Sequence, residues 1–270
     1  MKSLLKVLPK NYLSYGVGKL VHMRLPAPLN QQVIKWFVRR YKIDLSDIEG
    51  DIKSYKSLGE FFIRNLKKSA RPIGEGIVHP CDSVISEVGV VQEQTLVQAK
   101  GLSYNLAEFL LDSKLAADLE GGIYITYYLC PADYHRVHSP VDGEIEWCSH
   151  VPGQLWPVNQ WSVQNIQNLF PRNERLIANV RVGSSNCALV MVGATNVGKM
   201  SVAFDQQIVT NNLSSRVVKK DYSPAIKIKK GDLFGTFHMG STVVMIYPKD
   251  FLGKSWKEIT KGSVKFGASL

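Results

Sequence analysis

The sequence has few cysteines and no arrangement of them that suggests a metal site or a disulfide framework. Its 270 residues include four cysteines, which lie far apart and form no Cys-x-x-Cys pair: Cys81, Cys130, Cys148 and Cys187. Structural zinc sites use closely spaced cysteine pairs, and small secreted scaffolds use dense disulfides. We therefore expect no metal site of this kind, and we interpret the four residues as reduced thiols in a cytosolic setting.

Long apolar runs are also missing. A membrane-spanning helix needs ~20 consecutive apolar residues, and the longest runs here, at 188–194 and 243–247, are far shorter. Lys6, Pro9 and Lys10 interrupt any signal-peptide core at the amino terminus. The sequence therefore predicts a chain that neither crosses a membrane nor is exported.

Acidic residues are absent from the first 43 positions, because Asp44 is the first. Of the 33 basic and 23 acidic residues of the chain, 24 and 23 follow that point, so nearly all of the net charge of +10 belongs to the amino-terminal segment. Nine basic residues precede Asp44: Lys2, Lys6, Lys10, Lys19, Arg24, Lys35, Arg39, Arg40 and Lys42.

The same segment is rich in aliphatic and aromatic residues, and Trp36 and Phe37 lie beside Arg39 and Arg40. This mixture is typical of an interfacial anchor, in which each basic residue near an anionic leaflet contributes about 1 kcal/mol. The alternative is a solvated basic arm, or one that binds nucleic acid. The aromatic residues favour the membrane, so we predict a peripheral protein at the cytoplasmic face of the cell membrane that binds no nucleic acid.

The residue pattern predicts an α+β fold in two parts. Residues 1–66 read as basic, amphipathic helices, with Asn30 and Ser57 as helix caps and a capping box at 57–60. Residues 67–270 read as a mostly antiparallel β domain that carries the catalytic residues. One helix at 105–120 and a hairpin at Asp142-Gly143 complete it. The predicted strands are 84–91, 123–129, 144–148, 176–182, 188–192 and 243–247.

Two segments, 79–85 and 139–145, share the frame Pro-x-Asp-x-x-Ile. The repeat fits duplicated units of a β-sandwich, although turn chemistry alone also produces such pairs.

Gly240-Ser241-Thr242 lies between two apolar, strand-like runs. A serine hydroxyl can attack the carbonyl that precedes it, and intramolecular placement can supply ~7–11 kcal/mol of the barrier. The product is an ester, and elimination and hydrolysis then leave a pyruvoyl group at residue 241. Such a carbonyl can form a Schiff base with an amine and accept electrons from a breaking bond. From this tripeptide alone, a serine in an ordinary β-turn is the simpler interpretation.

His135 and His138 are separated by three positions, so one of them could be a general base for that serine. A metal site is the rival interpretation, with Asp133, Cys130 or His150 as a third ligand, although no His-Glu-x-x-His frame supports it. A base also needs an orienting carboxylate. Asp82 and Asp142 both follow a proline frame, and spacing alone does not choose between them.

Gly193–Lys199 fits the phosphate-binding pattern Gly-x-x-x-x-Gly-Lys, but Met200 replaces the Ser or Thr that binds Mg²⁺. The flanking apolar residues indicate strands instead of the helix that such a loop requires, so we interpret the segment as a β-turn.

Taken together, these motifs resemble the phosphatidylserine decarboxylases of bacterial type, a family of self-cleaving proenzymes. The resemblance covers most of the chain: the basic start, Tyr55 to Arg64, Gln98 to Gly101 with Tyr104, Asp133 to His138, Asn168 to Arg175, Val192 to Thr195, and Gly235 to Thr242. The combination of Asp-Tyr-His-Arg-Val-His with a late Gly-Ser-Thr is specific.

The resemblance implies a carboxy-lyase that converts phosphatidylserine to phosphatidylethanolamine in phospholipid biosynthesis. It implies cleavage between Gly240 and Ser241 into a β chain, 1–240, and an α chain, 241–270, whose Ser241 becomes the pyruvoyl cofactor. It assigns self-cleavage to the triad Asp82, His138 and Ser241, and the decarboxylation step to His135. Expected partners are phosphatidylserine and an anionic membrane surface, and a homodimer is compatible with the resemblance.

Two positions depart from the family pattern. Met239 replaces the usual leucine before Gly-Ser-Thr, a change that conserves volume. Ser83 replaces the glycine that usually follows the aspartate, which could alter the turn that aims Asp82 and so the rate of maturation. Two alternatives remain at this point: a Ser/His or metal-dependent hydrolase, and a noncatalytic membrane-binding module.

Overall fold

The computed structural model describes residues 10–99, 101–195, 199–210, 216–238 and 242–270. The α-helices of these ranges are α1 (Lys10–Val21), α2 (Ala27–Tyr41), α3 (Leu58–Phe62), α4 (Leu106–Leu110), α5 (Ser113–Asp118), α6 (Gln160–Asn165) and α7 (Leu169–Arg172). Short 3-10 helices lie at Ile52–Ser54, Lys68–Ala70 and Ser255–Glu258.

The strands of the same ranges form three antiparallel sheets. They are β1 (Ser83–Val90), β2 (Thr95–Ala99), β3 (Leu102–Asn105), β4 (Ile123–Tyr128), β5 (Arg136–His138), β6 (Gly143–Val151), β7 (Arg175–Val182), β8 (Ser185–Val192), β9 (Met200–Val202), β10 (Val218–Ile228), β11 (Leu233–Phe237), β12 (Thr242–Tyr247) and β13 (Gly262–Val264). The eight-stranded sheet has the order β10-β6-β7-β8-β12-β4-β1-β13, and the smaller sheets are β5-β11-β9 and β2-β3.

The main sheet forms because its central strands are apolar on both faces. Every residue of β12 is buried, and so are most residues of β4 and β8. Continuous Val, Ile, Met and Tyr runs of this kind form strands with both faces covered. The six strands predicted from the sequence are all present, and the predicted α+β class with a mostly antiparallel β part is confirmed.

The structure corrects three local predictions. The single helix predicted at 105–120 is two short helices, because Leu111 adopts a left-handed conformation (φ 49°) and Asp112 caps α5. Asp142-Gly143 does not close a hairpin, because β5 and β6 pair in different sheets. Asn30 lies inside α2 instead of capping it, and its side chain donates to the Tyr55 carbonyl at 2.7 Å.

The amino-terminal helices have a small hydrophobic core of their own. Ile34 and Phe37 of α2 pack with Phe61 and Phe62 of α3, while the β sheets enclose a separate, larger core. Ser57 caps α3 as predicted, since its Oγ accepts a hydrogen bond from the Glu60 amide at 3.1 Å. The division of the chain at residue 66 itself remains a prediction.

Both Pro-x-Asp-x-x-Ile frames lead into strands of the same eight-stranded sheet. One precedes β1 and the other precedes β6, and each of these strands is second from one edge of the sheet. Within the described ranges, no helix is long and apolar enough to span a membrane.

Candidate active site

The three-stranded sheet positions the histidine motif. β5, which contains Arg136 and His138, pairs with β11, and the amide of Phe237 donates to the carbonyl of His135 at 3.0 Å. β11 ends at Phe237, four positions before Ser241. Both histidines are therefore attached to the strand that leads into the predicted cleavage site. Gly240 and Ser241 themselves, with Met239, lie outside the described residues.

His138 is oriented by a backbone carbonyl. Its Nδ1 lies 2.8 Å from the Gly231 carbonyl oxygen, which only accepts hydrogen bonds, so Nδ1 carries the proton and Nε2 carries the lone pair. Burial lowers the pKa of His138 to about 4. The ring stacks on Phe266 with 3.8 Å between centroids. His138 is therefore neutral at pH 7, and its Nε2 can accept a proton.

Tyr134 is a site residue that the sequence analysis did not single out. Its hydroxyl lies 3.1 Å from His138 Nε2, and burial raises the pKa of Tyr134 to about 12, so the hydroxyl stays protonated and donates to this nitrogen. The signal in the sequence was its place four positions before His138 inside the histidine motif. In this arrangement, Tyr134 occupies the basic nitrogen that we expect to serve the cleavage.

His135 has an unpartnered nitrogen in a fully buried ring. Its Nδ1 donates to the Asp133 carbonyl at 2.8 Å, and its Nε2 has no hydrogen-bond partner. Burial, with a smaller contribution from the Arg64 guanidinium, lowers the pKa of His135 to about 3. The Phe62 ring lies 4.0 Å away between centroids. A buried acceptor without a partner is rare, and it is typical of a functional site.

Two arginines join the amino-terminal helices to the histidine motif. Arg64, just beyond α3, donates from Nη2 to the carbonyls of Ala132 and Asp133 at 2.8 and 3.2 Å. Arg136 donates from Nε and Nη2 to the Ile63 carbonyl at 3.1 and 3.0 Å. The Asp133 carbonyl also accepts the hydrogen bond from His135 Nδ1. Arg64 therefore stabilises the loop that sets the orientation of the His135 ring.

Asp82 lies beside His138, and its direct partners are other groups. Its carboxylate accepts hydrogen bonds from Arg71 Nη2 at 2.5 Å and from the Phe266 amide at 2.9 Å, and Lys265 Nζ lies at 3.3 Å. The His138 amide donates to the Pro80 carbonyl at 2.8 Å, which fixes the Asp82 loop next to β5. Asp82 is thus linked to His138 indirectly: it accepts a hydrogen bond from the backbone of Phe266, whose ring stacks on His138, and its negative charge acts on the imidazole. Its role in the triad remains a prediction.

The ionised state of Asp82 depends on these donors. Burial alone would raise the pKa of this carboxyl, but the hydrogen bonds from Arg71 and from the Phe266 amide outweigh burial, and the pKa lies below its usual range. The negative charge of Asp82 in turn favours a proton on His138. The carboxylate can therefore stabilise the imidazolium that forms when His138 accepts a proton.

We expect Arg71→Met to destabilise the fold strongly, because it leaves the buried Asp82 carboxylate without its main partner. Breaking one side of a buried ion pair costs ~3–5 kcal/mol, and Lys265 keeps this case near the lower end. The melting temperature should fall by roughly 6–12 °C, measured by calorimetry. Arg181→Met is the matched control, because its ion pairs with Glu144 and Glu146 are far more exposed than that of Asp82, and their loss should change the melting temperature little. Equal shifts in the two variants would contradict this account.

The other candidates from the sequence lie in different surroundings. Asp142 is exposed, and its Oδ1 accepts from the Lys230 amide at 2.9 Å. His150 forms a buried pair with Glu174 at 2.8 Å on the main sheet. In the described part of the chain, no three His, Cys, Asp or Glu residues are grouped as metal ligands. In the Gly-x-x-x-x-Gly-Lys segment, residues 196–198 lie outside the described ranges, and strands flank the segment on both sides.

This geometry defines a class of protein: an α+β protein with a buried acid–base site of neutral histidines, built on antiparallel sheet. Residues 58–270 match the family model described as phosphatidylserine decarboxylase. The chain is 43% identical over 249 residues to a phosphatidylserine decarboxylase proenzyme of Anaeromyxobacter sp. (strain K), covering 91% of this chain and 88% of the relative. The chain therefore belongs to the phosphatidylserine decarboxylase family.

Other relatives agree. Proteins named phosphatidylserine decarboxylase proenzyme are 38% identical in Myxococcus xanthus (strain DK1622) and 39% identical in Vibrio parahaemolyticus serotype O3:K6 (strain RIMD 2210633), each over 90% of this chain and 88% of the relative. The resemblance inferred from the motifs is thus confirmed. These comparisons give no support to a hydrolase or to a noncatalytic binding module.

Proposed function

We propose that this protein is a carboxy-lyase that converts phosphatidylserine to phosphatidylethanolamine and CO₂ in phospholipid biosynthesis. The observation that carries the proposal is the pair of buried, neutral histidines at β5 and just before it, next to β11, in a chain that matches the family over residues 58–270. This pair supplies the proton acceptors that self-cleavage and decarboxylation both require.

We propose that the chain first cleaves itself between Gly240 and Ser241, as the word proenzyme in the names of its relatives suggests. His138 Nε2 accepts the hydroxyl proton of Ser241, and Asp82 stabilises the resulting imidazolium. The Gly240 carbonyl then moves from the nitrogen of residue 241 to its Oγ. Elimination releases the carboxylate of Gly240, and hydrolysis replaces the nitrogen by oxygen and releases ammonia. The products are the chains 1–240 and 241–270.

The surroundings of His135 fit a pyruvoyl group derived from Ser241. This group supplies a carbonyl that reacts with the substrate amine and accepts the electron pair released as CO₂ leaves. The amine arrives as an ammonium ion and must lose a proton first, and the unpartnered Nε2 of His135 is an acceptor for it. That nitrogen can later return a proton to the α-carbon. Phe62 on the His135 ring and the full burial of His135 keep water away from this nitrogen.

Labelled substrate tests the proposed activity directly. The purified, full-length protein is incubated with phosphatidylserine labelled with ¹⁴C at the serine carboxyl in detergent micelles, and released ¹⁴CO₂ and phosphatidylethanolamine are measured. We expect both products in equal amounts, and we expect a hydrazine reagent to abolish them. Cleaved protein that releases no CO₂ would contradict the proposal.

We further propose that the protein acts as a peripheral protein on the cytoplasmic face of the cell membrane. On α2, Leu29, Trp36 and Arg40 lie on one stripe, and Leu29 and Trp36 are 47% and 60% exposed. Lys35 and Arg39 flank that stripe and are also exposed. An exposed tryptophan among basic residues fits the interface of an anionic leaflet.

A homodimer remains a prediction from the resemblance, which sedimentation of the mature protein would test.

We expect Trp36→Ser to weaken binding to vesicles that contain 30% anionic lipid by roughly tenfold, because burying an aromatic side chain contributes about 1.5–3 kcal/mol. Flotation of the full-length protein measures the bound fraction. Trp161→Ser is the control, because Trp161 is 39% exposed on α6, outside the amino-terminal helices, and its loss should not alter flotation. Unchanged flotation of Trp36→Ser would contradict membrane docking through α2.

A further inference from the structure

One face of the three-stranded sheet carries a row of basic residues. Thr236 of β11 lies opposite Arg136 of β5 on one side and opposite Ser201 of β9 on the other, so these three residues share a face. His238 follows on the same face two positions after Thr236, and its Nε2 lies 3.2 Å from Ser201 Oγ. The His238 amide donates to the Lys199 carbonyl at 2.9 Å, which extends the pairing of β11 with β9 by one residue.

The row therefore consists of Lys199, His238 and Arg136, one from each of three adjacent chain segments. The opposite face of the same sheet carries buried apolar residues, among them Val137, Met200 and Phe237. Lys199 is exposed, and Arg136 and His238 are partly buried. Among the described residues, none of these three side chains forms an ion pair with a carboxylate.

His22, which follows α1, extends the row toward the amino-terminal helices. Its ring centroid lies 5.9 Å from that of His238. A Cβ on Gly59 would come within 2.7 Å of the His22 ring, so the absence of a side chain at 59 allows this approach. Burial, with smaller contributions from the charges of Lys199 and Arg136, lowers the pKa of His238 to about 4, so the charge of the row at pH 7 comes from Lys199 and Arg136.

We propose that this row, together with the Ser201 hydroxyl, binds the phosphodiester of the lipid head group. The row lies beside His22, which follows α1, and at the end of the strand that leads to Ser241. Lysine, arginine and hydroxyl side chains can each donate hydrogen bonds to phosphate oxygens. This inference rests on the proposed function, because it names the part of the substrate that the site recognises.

Phosphate recognition should depend on charge at residue 199. We expect Lys199→Met to raise KM for phosphatidylserine about tenfold with little change in kcat. O-dodecyl-L-serine has the same amine and carboxylate but no phosphate, and its KM should not change. Lys199→Arg should restore the KM for phosphatidylserine. Lys227→Met, an exposed lysine on the edge strand β10, is the matched control and should match the unmodified protein.

A binding measurement separates failure of this inference from failure of the proposed function. Titration calorimetry with glycerophosphoethanolamine, a soluble phosphodiester, needs no turnover, and Lys199→Met should weaken its binding about tenfold. Unchanged binding, or an equal rise in KM for both substrates, would overturn the phosphate assignment. Turnover of neither substrate by the unmodified, cleaved protein would instead contradict the decarboxylase proposal, and the calorimetry would still decide the phosphate site.

Discussion

The variant His138→Asn is expected to remain a single chain of 270 residues under conditions in which the unmodified protein cleaves itself. Asparagine at 138 cannot accept a proton from Ser241, and general-base catalysis contributes ~10²–10⁴-fold to such a step. The time course of cleavage, followed by denaturing gel and by mass, should slow by at least the lower of these factors.

The control for this variant is Tyr134→Phe. It removes the hydroxyl that occupies His138 Nε2 but leaves the base in place, so cleavage should continue. The pH profile gives a second check. Because burial holds the pKa of His138 near 4, the base is neutral throughout pH 6–8 and the cleavage rate should be constant there. A histidine near its usual pKa would change the rate about fourfold over this range. Normal cleavage by His138→Asn would remove His138 from the mechanism.

The variant His135→Asn is expected to separate cleavage from decarboxylation. It should cleave at a rate close to that of the unmodified protein, because His138 remains, while kcat for decarboxylation falls ~10²–10⁴-fold with the loss of a proton-transfer group. The rate of ¹⁴CO₂ release at saturating phosphatidylserine measures kcat, and reaction with a fluorescent hydrazide measures the carbonyl content of the cleaved chain.

The matched control is His79→Asn. His79 is also buried, its pKa is likewise lowered to about 4 by burial, and its Nδ1 lies near the Tyr127 hydroxyl at 3.2 Å. Loss of this histidine should not change kcat per carbonyl group. Equal losses of activity in the two variants would mean that His135 acts only by supporting the fold. A loss of cleavage in His135→Asn would instead assign this histidine to maturation.

Local apolar patterns were enough to predict the strands of the main sheet, but not the break in the predicted helix at 105–120 or the contact made by Asn30. Continuous β-branched and aromatic runs become β4, β8 and β12, because such residues fit a buried sheet whatever their partners. The break inside 105–120 depends on Leu111, which adopts a left-handed backbone conformation that leucine rarely takes. Asn30 was misread as a cap because its amide bonds the distant Tyr55 carbonyl.

The chemical groups of the site could be predicted from motifs, but their hydrogen-bond partners could not. The motif Asp-Tyr-His-Arg-Val-His indicated two histidines, yet the acceptor for His138 Nδ1 is the backbone of Gly231, which is 93 positions away. Likewise, Arg71 and Phe266 hold Asp82, and neither belongs to a recognisable pattern. Contacts between residues so distant in sequence arise from the sheet topology, which one sequence does not reveal.

The mass of the purified protein under denaturing conditions tests the central claim most directly. The account predicts two chains, 1–240 and 241–270, the smaller one blocked to Edman degradation and reactive toward hydrazides, while Ser241→Ala remains one intact chain. An unmodified protein that stays whole at 270 residues after prolonged incubation would contradict self-cleavage and with it the proposed cofactor.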